Sequence, residues 1–160
     1  NGEVISEIEY NGKLYFSTRK GVYQEIQGGA EIAAKSDLVG EVNDFAIYQG
    51  VLYMGGEKGV YFMSDNGEFL PAGDYNMFTE VNDLYVFNGA LYAGDVLVLA
   101  RLQGAEWETL VRDNVKRFFE HEGSLYAETE AGNAIEKIGS ELNKELFDIP
   151  KESERQIINN

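Results

Sequence analysis

Residues 80–94 read EVNDLYVFNGALYAG, and residues 41–55 read EVNDFAIYQGVLYMG, nearly the same line thirty-nine residues earlier. The kernel of that line, G-x-L-Y, starts at Gly12, Gly50, Gly89 and Gly123, at intervals of 38, 39 and 34 residues. Eight residues before each glycine stands a valine: Val4, Val42, Val81 and Val115. Two residues before it stand Tyr10, Tyr48, Phe87 and His121. Nine residues after it stand Gly21, Gly59 and Gly132, whereas the third copy has Val98 there and has lost a few residues. Registers that recur at this period signal stacked supersecondary units, each unable to bury its own apolar face alone.

Each unit reads as β. Phe45-Ala46-Ile47-Tyr48 and Leu84-Tyr85-Val86-Phe87 are apolar on both faces, as in a strand covered on both sides. A two-residue turn follows, at Asn11-Gly12, Gln49-Gly50, Asn88-Gly89 or Glu122-Gly123. Asn-Gly favours the primed hairpin turns, which need positive φ. A second strand carries Leu-Tyr. A polar loop leads to a third strand at Gly21-Val22-Tyr23 or Gly59-Val60-Tyr61. Another turn, at Gln27-Gly28-Gly29, Asp65-Asn66-Gly67 or Gln103-Gly104-Ala105, leads to a less regular fourth strand, such as 107–111 or 142–149. High tyrosine, phenylalanine and glycine with only two prolines suits strands joined by tight turns.

Four-stranded antiparallel sheets in tandem are the blades of a β-propeller. The expected fold class is therefore all-β, a β-propeller or partial propeller of four four-stranded antiparallel blades. The stretch Leu14-Tyr15-Phe16-Ser17-Thr18-Arg19-Lys20-Gly21-Val22-Tyr23 resembles the L-W-x-G-T-x-x-G-L line of the two-component-regulator-type propeller repeats. Residues 52–61 are similar, with Gly55 in the expected slot, and the third and fourth copies depart after Leu-Tyr. The turns at Asp65-Asn66-Gly67 and at Gln103-Gly104-Ala105-Glu106-Trp107 resemble, more distantly, the Asp-box of sialidase-like propellers. The resemblance covers residues 3–149 and implies an architecture. Such repeats serve sensing, binding and catalysis alike.

The expected organisation is a repeat domain over 1–150, with blades at 3–39, 41–78, 80–112 and 114–149. Residues 151–160 follow as a charged tail or the start of a further strand. Three readings of four blades stay open: a closed ring, a half-ring completed by a second chain, or a portion of a longer chain. An open terminal blade would expose an apolar face and call for a partner.

Net charge is −15, which opposes the phosphate backbone and argues against nucleic acid. It also disfavours anionic membrane surfaces, and no apolar run is long enough to span a bilayer. The absence of cysteine excludes disulfides and thiolate metal sites. With one histidine, His121, in a slot held elsewhere by Tyr or Phe, zinc or redox-metal chemistry and a catalytic imidazole are not expected; His121 reads as a packing residue. No phosphate loop, H-E-x-x-H or nucleophile elbow occurs.

Topology supplies the candidate site. In an up-and-down blade, the blade-to-blade links and the second-to-third loops share one face. The links deliver Glu3, Glu41, Glu80 and Asn114 to equivalent places, followed by Asn43-Asp44 and Asn82-Asp83. This predicts an acidic ring at the channel mouth, with Glu41, Asp44, Glu80 and Asp83 as candidate binding residues. Such a ring would suit a basic ligand or a calcium or magnesium ion. The structural alternative is that Asp44 and Asp83 cap turns by accepting backbone hydrogen bonds. No cofactor is otherwise expected. The long link over residues 70–79 places Tyr75, Met77 and Phe78 either at a partner contact or tucked on the next blade. Trp107 is expected on an outer strand, packed between blades.

The function expected is a non-enzymatic protein-interaction or scaffold module, part of a larger chain or assembly, with a protein partner or self-association. The setting expected is secreted, cell-surface or virion-associated. The alternative is a glycan-binding or glycan-active propeller, lectin- or sialidase-like, which as a glycosidase would need two convergent carboxylates.

Overall fold

The computed structural model describes residues 2–130, 134–138 and 144–148. The expected tail at 151–160 lies outside the described residues. Blade 1 comprises β1 (Ser6–Tyr10), β2 (Lys13–Thr18), β3 (Gly21–Ile26) and β4 (Gly29–Lys35). Blade 2 comprises β5 (Val42–Tyr48), β6 (Val51–Gly56), β7 (Gly59–Met63) and β8 (Phe69–Pro71). Blade 3 comprises β9 (Val81–Phe87), β10 (Ala90–Asp95), β11 (Leu99–Gln103) and β12 (Glu106–Val111). Blade 4 comprises β13 (Val115–His121), β14 (Ser124–Thr129), β15 (Ala134–Ile138) and β16 (Lys144–Asp148). In every blade the strands hydrogen-bond in chain order, antiparallel throughout.

The first hairpin of each blade closes as its turn residues dictate. Asn11, Gln49, Asn88 and Glu122 have φ between 46° and 51°, each followed by a glycine with φ between 72° and 74°. That is the type I′ geometry, whose twist matches the strands it joins. Gln49 and Glu122 accept the left-handed conformation without being asparagine, so the repeat's register overrides local preference. One element was not expected from the sequence. A single helical turn, α1 (Ser36–Val39), follows β4 and buries Val39 at the first blade junction.

Three apolar cores hold the blades together, one at each junction. Tyr15, Val22 and Ala34 of blade 1 meet Val42, Phe45, Leu52, Met54, Tyr61 and Phe69 of blade 2. Ala46 and Val60 of blade 2, with Ala72 and Phe78 of its link, meet Val81, Leu84, Leu91 and Ala93 of blade 3. Tyr92, Leu99 and Val111 of blade 3 meet Val115, Phe118, Leu125 and Ala127 of blade 4. The slots recur: valine, Phe or Leu, then leucine line the face each blade turns to its predecessor. The inner strands pack in sequence, β1 on β5, β5 on β9 and β9 on β13. Among the described residues no comparable packing joins β13 back to β1, so the four blades form an arc rather than a ring closed on itself.

Glycines set the spacing of the later junctions. A Cβ on Gly55 would lie 2.6 Å from Val81 Cγ1, and one on Gly94 would lie 2.5 Å from Val115 Cγ1. The first junction carries the fully buried Ser17 in the equivalent slot.

Candidate functional site

The recurring Asn-Asp pair sits near the start of the inner strands of blades 2 and 3. Asn43 Nδ2 donates to the Val81 carbonyl at 3.0 Å, and Asn82 Nδ2 donates to the Val115 carbonyl at 2.8 Å. Asp44 Oδ2 accepts from the Leu84 amide at 2.9 Å, and Asp83 Oδ2 accepts from the Phe118 amide at 2.6 Å. Each pair is thus a two-pronged clamp on the next blade's inner strand. The register explains why those amides are available. Leu84 and Phe118 occupy positions of the first hairpin whose N–H points away from the partner strand. Asp44 and Asp83 do accept backbone hydrogen bonds, but the backbone they serve is the inner strand of the following blade and not a turn.

The two aspartates also meet each other. Burial pushes the Asp83 carboxyl up to about 8, and its hydrogen bond with Asp44 acts the same way, against the opposing pull of the Phe118 and Leu84 amides. The shift favours the protonated form of Asp83 where the two blades meet. On the other side of Asp44, the Ser6 hydroxyl of blade 1 approaches Asp44 Oδ1 at 3.5 Å. In blade 4 the same slot holds Arg117, whose guanidinium pairs with Glu128 and lies 5.0 Å from the Phe119 ring centroid. The inner row thus reads Ser6, Asp44, Asp83, Arg117.

The blade links do share a face with the second-to-third loops. The carbonyls of Glu41, Glu80 and Asn114 accept the amides of Glu57, Val96 and Glu130 at 3.0, 3.1 and 2.9 Å. Their side chains do not gather into an uninterrupted acidic ring. Arg19 Nε lies 3.9 Å from Glu41, and Glu3, Glu41, Arg19 and Lys20 line one cleft together with Gly2, Val4 and Ile5. The sequence could not show that the preceding blade's loop brings Arg19 to Glu41. Among the described residues no three His, Cys, Asp or Glu side chains form a group that could hold a metal ion.

Asp95 was missed by sequence reading, because the third copy departs from the repeat there. It is fully buried at the end of β10 and accepts from the amides of Thr79, Glu80 and Leu97 at 2.9, 2.6 and 2.8 Å. Burial raises its pKa, and the three amides work in the opposite direction. Its equivalents are Thr18, Gly56 and Thr129; Asp95 adds to the backbone bond from Val96 to Glu80 a carboxylate that fastens the link between blades 2 and 3.

That link behaves as a tuck. Phe78 is 7% exposed and meets Trp107 edge-on, with ring centroids 5.2 Å apart. Trp107, on outer strand β12, donates its indole N–H to the Ala72 carbonyl at 2.8 Å. Phe78 is therefore not presented to a partner, because the indole of the next blade provides a closer apolar surface. Tyr75 opens a short 3-10 turn, Tyr75–Met77, capped by Asp74 accepting from the Asn76 amide. His121 packs against Tyr126, with ring centroids 6.2 Å apart, in the slot held elsewhere by Tyr or Phe.

No family model matches the chain, and no curated protein matches it. Solved structures do. The chain is similar to the extracellular domain of BT4673 from B. thetaiotaomicron, with a TM-score of 0.75 and 16% identity, over 93% of this chain and 22% of that one. The WD40 repeats of RRP9 match with a TM-score of 0.68 and 12% identity, over 92% of this chain and 52% of that one. WD40 repeats are propeller blades. The chain is a β-propeller repeat protein. Virginiamycin B lyase from Staphylococcus aureus, crystallised with quinupristin, matches with a TM-score of 0.70 and 13% identity, over 95% of this chain and 57% of the lyase. Likenesses at these identities speak for fold alone. The propeller repeats described here span between about a fifth and three-fifths of the chains they match.

Proposed function

We propose that this chain is a non-enzymatic protein-interaction module built on an arc of propeller blades, working as part of a larger assembly outside the cell. One observation carries the reading. The three junctions use a fixed set of apolar slots, and the face of blade 1 turned away from blade 2 presents the same slots to solvent. There Val4 is 48% exposed and Phe16 and Tyr23 are half-buried, although their counterparts Val42, Met54 and Tyr61 are buried. A sheet face of this composition is stabilised by covering it with protein.

The polar chemistry agrees. Asp44, Asp83 and Asp95 each accept backbone amides, and those bonds join blades and links. They serve assembly of the fold instead of facing a cleft. The extracellular setting is supported by the BT4673 domain, and the larger assembly by the modest share of each matched chain that these four blades span.

Site-specific photo-crosslinking tests the reading. A probe at Phe16 should capture protein far more efficiently than one at Asn66, which lies on an exposed outer turn. Equal capture at both positions, or turnover or saturable binding of a sugar on a glycan panel, would favour the glycan reading instead.

A further inference from the structure

The second and third junctions obey one rule, and the two ends of the arc depart from it in a correlated way. At the second and third junctions, an Asn-Asp pair on one inner strand grips a valine carbonyl and a Leu or Phe amide on the next. The last inner strand, β13, carries Lys116-Arg117 where that pair stands. The first, β1 with the residues before it, offers Val4 and Glu7 where Val42, Val81 and Val115 and then Phe45, Leu84 and Phe118 stand. Arginine has donors only and cannot accept from an amide. The exchange of Asp for Arg on one end is matched by the exchange of an apolar residue for Glu at the slot it would face on the other. Lys116, which pairs with Glu130 at 3.5 Å, carries donors in the slot where the asparagines carry theirs.

The apolar slots fit the same docking. On blade 1 the outward face holds Val4, Leu14, Phe16 and Tyr23, with Phe16 and Tyr23 stacked at 5.5 Å. An open cleft of about 340 Å³ runs over it, lined by Gly2, Phe16, Thr18, Lys20, Tyr23 and Ala30. On blade 4 the forward face carries Phe119 stacked on Tyr126, also at 5.5 Å, with His121 beside it. Phe119 is itself buried, while Tyr126 and His121 are half-exposed.

We propose that a second copy of this chain seats its blade 4 on the outward face of blade 1, two copies closing head to tail into a single ring. The proposal rests on the interaction-module reading and names its partner. Two four-bladed arcs give eight blades, within the size range of closed propellers. Arg117 turns from Glu128 toward Glu7 of the other copy, and the half-buried aromatics of blade 1 become core.

Sedimentation velocity at micromolar concentration tests this. The expected result is a discrete dimer. Glu7→Arg, on an exposed side chain, should weaken it about a hundredfold, as reversing one partner of an interfacial charge pair does. Phe16→Glu should do the same by placing a charge in the apolar slot. Combining Glu7→Arg with Arg117→Glu should restore most of the affinity. A wild-type monomer, a ladder of higher species, or a dimer indifferent to both Glu7→Arg and Phe16→Glu overturns the proposal. Circular dichroism of the two blade 1 variants, unchanged from wild type, separates lost docking from lost folding. A monomer that still captures another protein through a Phe16 probe removes the ring and leaves the interaction module standing.

Discussion

The junction between blades 1 and 2 and the two junctions that follow it share a plan but not a fastening. Blades 2, 3 and 4 are joined by glycine-permitted contact, valine against Gly55 or Gly94, and by the Asn-Asp clamps. The first junction has Ser17 where those glycines stand and Ile5-Ser6 where the clamps stand. Ser6 reaches Asp44 only at 3.5 Å, and the firmer polar bonds of this junction lie above and below the inner row: the Tyr10 hydroxyl donates to the Gly50 carbonyl at 2.9 Å and the Tyr61 hydroxyl to the Leu38 carbonyl at 3.2 Å. An apolar core alone holds blades together without fixing their register, because dispersion and burial are non-directional. The clamps add direction. A blade gripped at both a carbonyl and an amide of one inner strand has one seating, whereas blade 1 is held by its apolar core and by single tyrosine bonds at the turn and the link.

The sharpest way to break this contrast is at the glycines. Gly94→Ala forces a methyl to within 2.5 Å of Val115, and the expected cost is about 2–3 kcal/mol of unfolding free energy, the usual scale of core overpacking. Denaturant melts should show it, while Ser17→Ala at the first junction should cost well under half as much. Parity between the two would mean that the later junctions are no tighter.

Removing one clamp prong comes next. Asp44→Ala strands the buried-strand amide of Leu84, at an expected cost of about 1–3 kcal/mol, as for any orphaned donor. Ser6→Ala, the matched change at the first junction, should stay within about 0.5 kcal/mol.

The proton between Asp44 and Asp83 gives a pH signature. The folded state holds the Asp83 proton up to about 8, against 3.8 when unfolded. Below 3.8 both states are protonated and the contribution is complete. Between 3.8 and about 8 the unfolded chain releases a proton that the folded chain keeps, so this contribution fades as pH rises. Melting temperature should therefore fall across that window, and Asp83→Asn, which can still accept the Phe118 amide, should flatten the slope. Identical slopes would show that the two carboxyls do not share a proton.

The smallest effect is a gain. Ile5→Asn places at the first junction the group that Asn43 and Asn82 supply at the others. It should donate to the Val42 carbonyl and add about 1 kcal/mol, the net worth of one hydrogen bond. Hydrogen exchange would report it as slower opening of β5.

Much of this was legible in the repeat. Val42, Val81 and Val115, the Leu-Tyr strands and the two-residue turns fall where a period of supersecondary units puts them, because hairpin register is written locally. The contacts between units are not local. Asn43 and Asn82 read as polar residues at a strand start, and nothing in their neighbourhood names a carbonyl more than thirty residues away. Asp95 was hidden for the opposite reason: it lies where the third copy breaks the pattern. Phe78 stayed open between a partner contact and a tuck because its covering partner, Trp107, comes from the outer edge of the next blade. The acidic residues of the links were located on one face, but Arg19, which interrupts them, belongs to a loop that only the arc brings near.

The uneven fastening also has a mechanical meaning. Pulled from its two ends, the arc carries tension through three joints in series, and the joint without an Asn-Asp clamp yields first. Blade 1 should peel away at low force, while blades 2 to 4 hold until a clamp snaps and then fail together. A single-molecule extension trace would then show a soft early step of one blade's contour length before one larger rip.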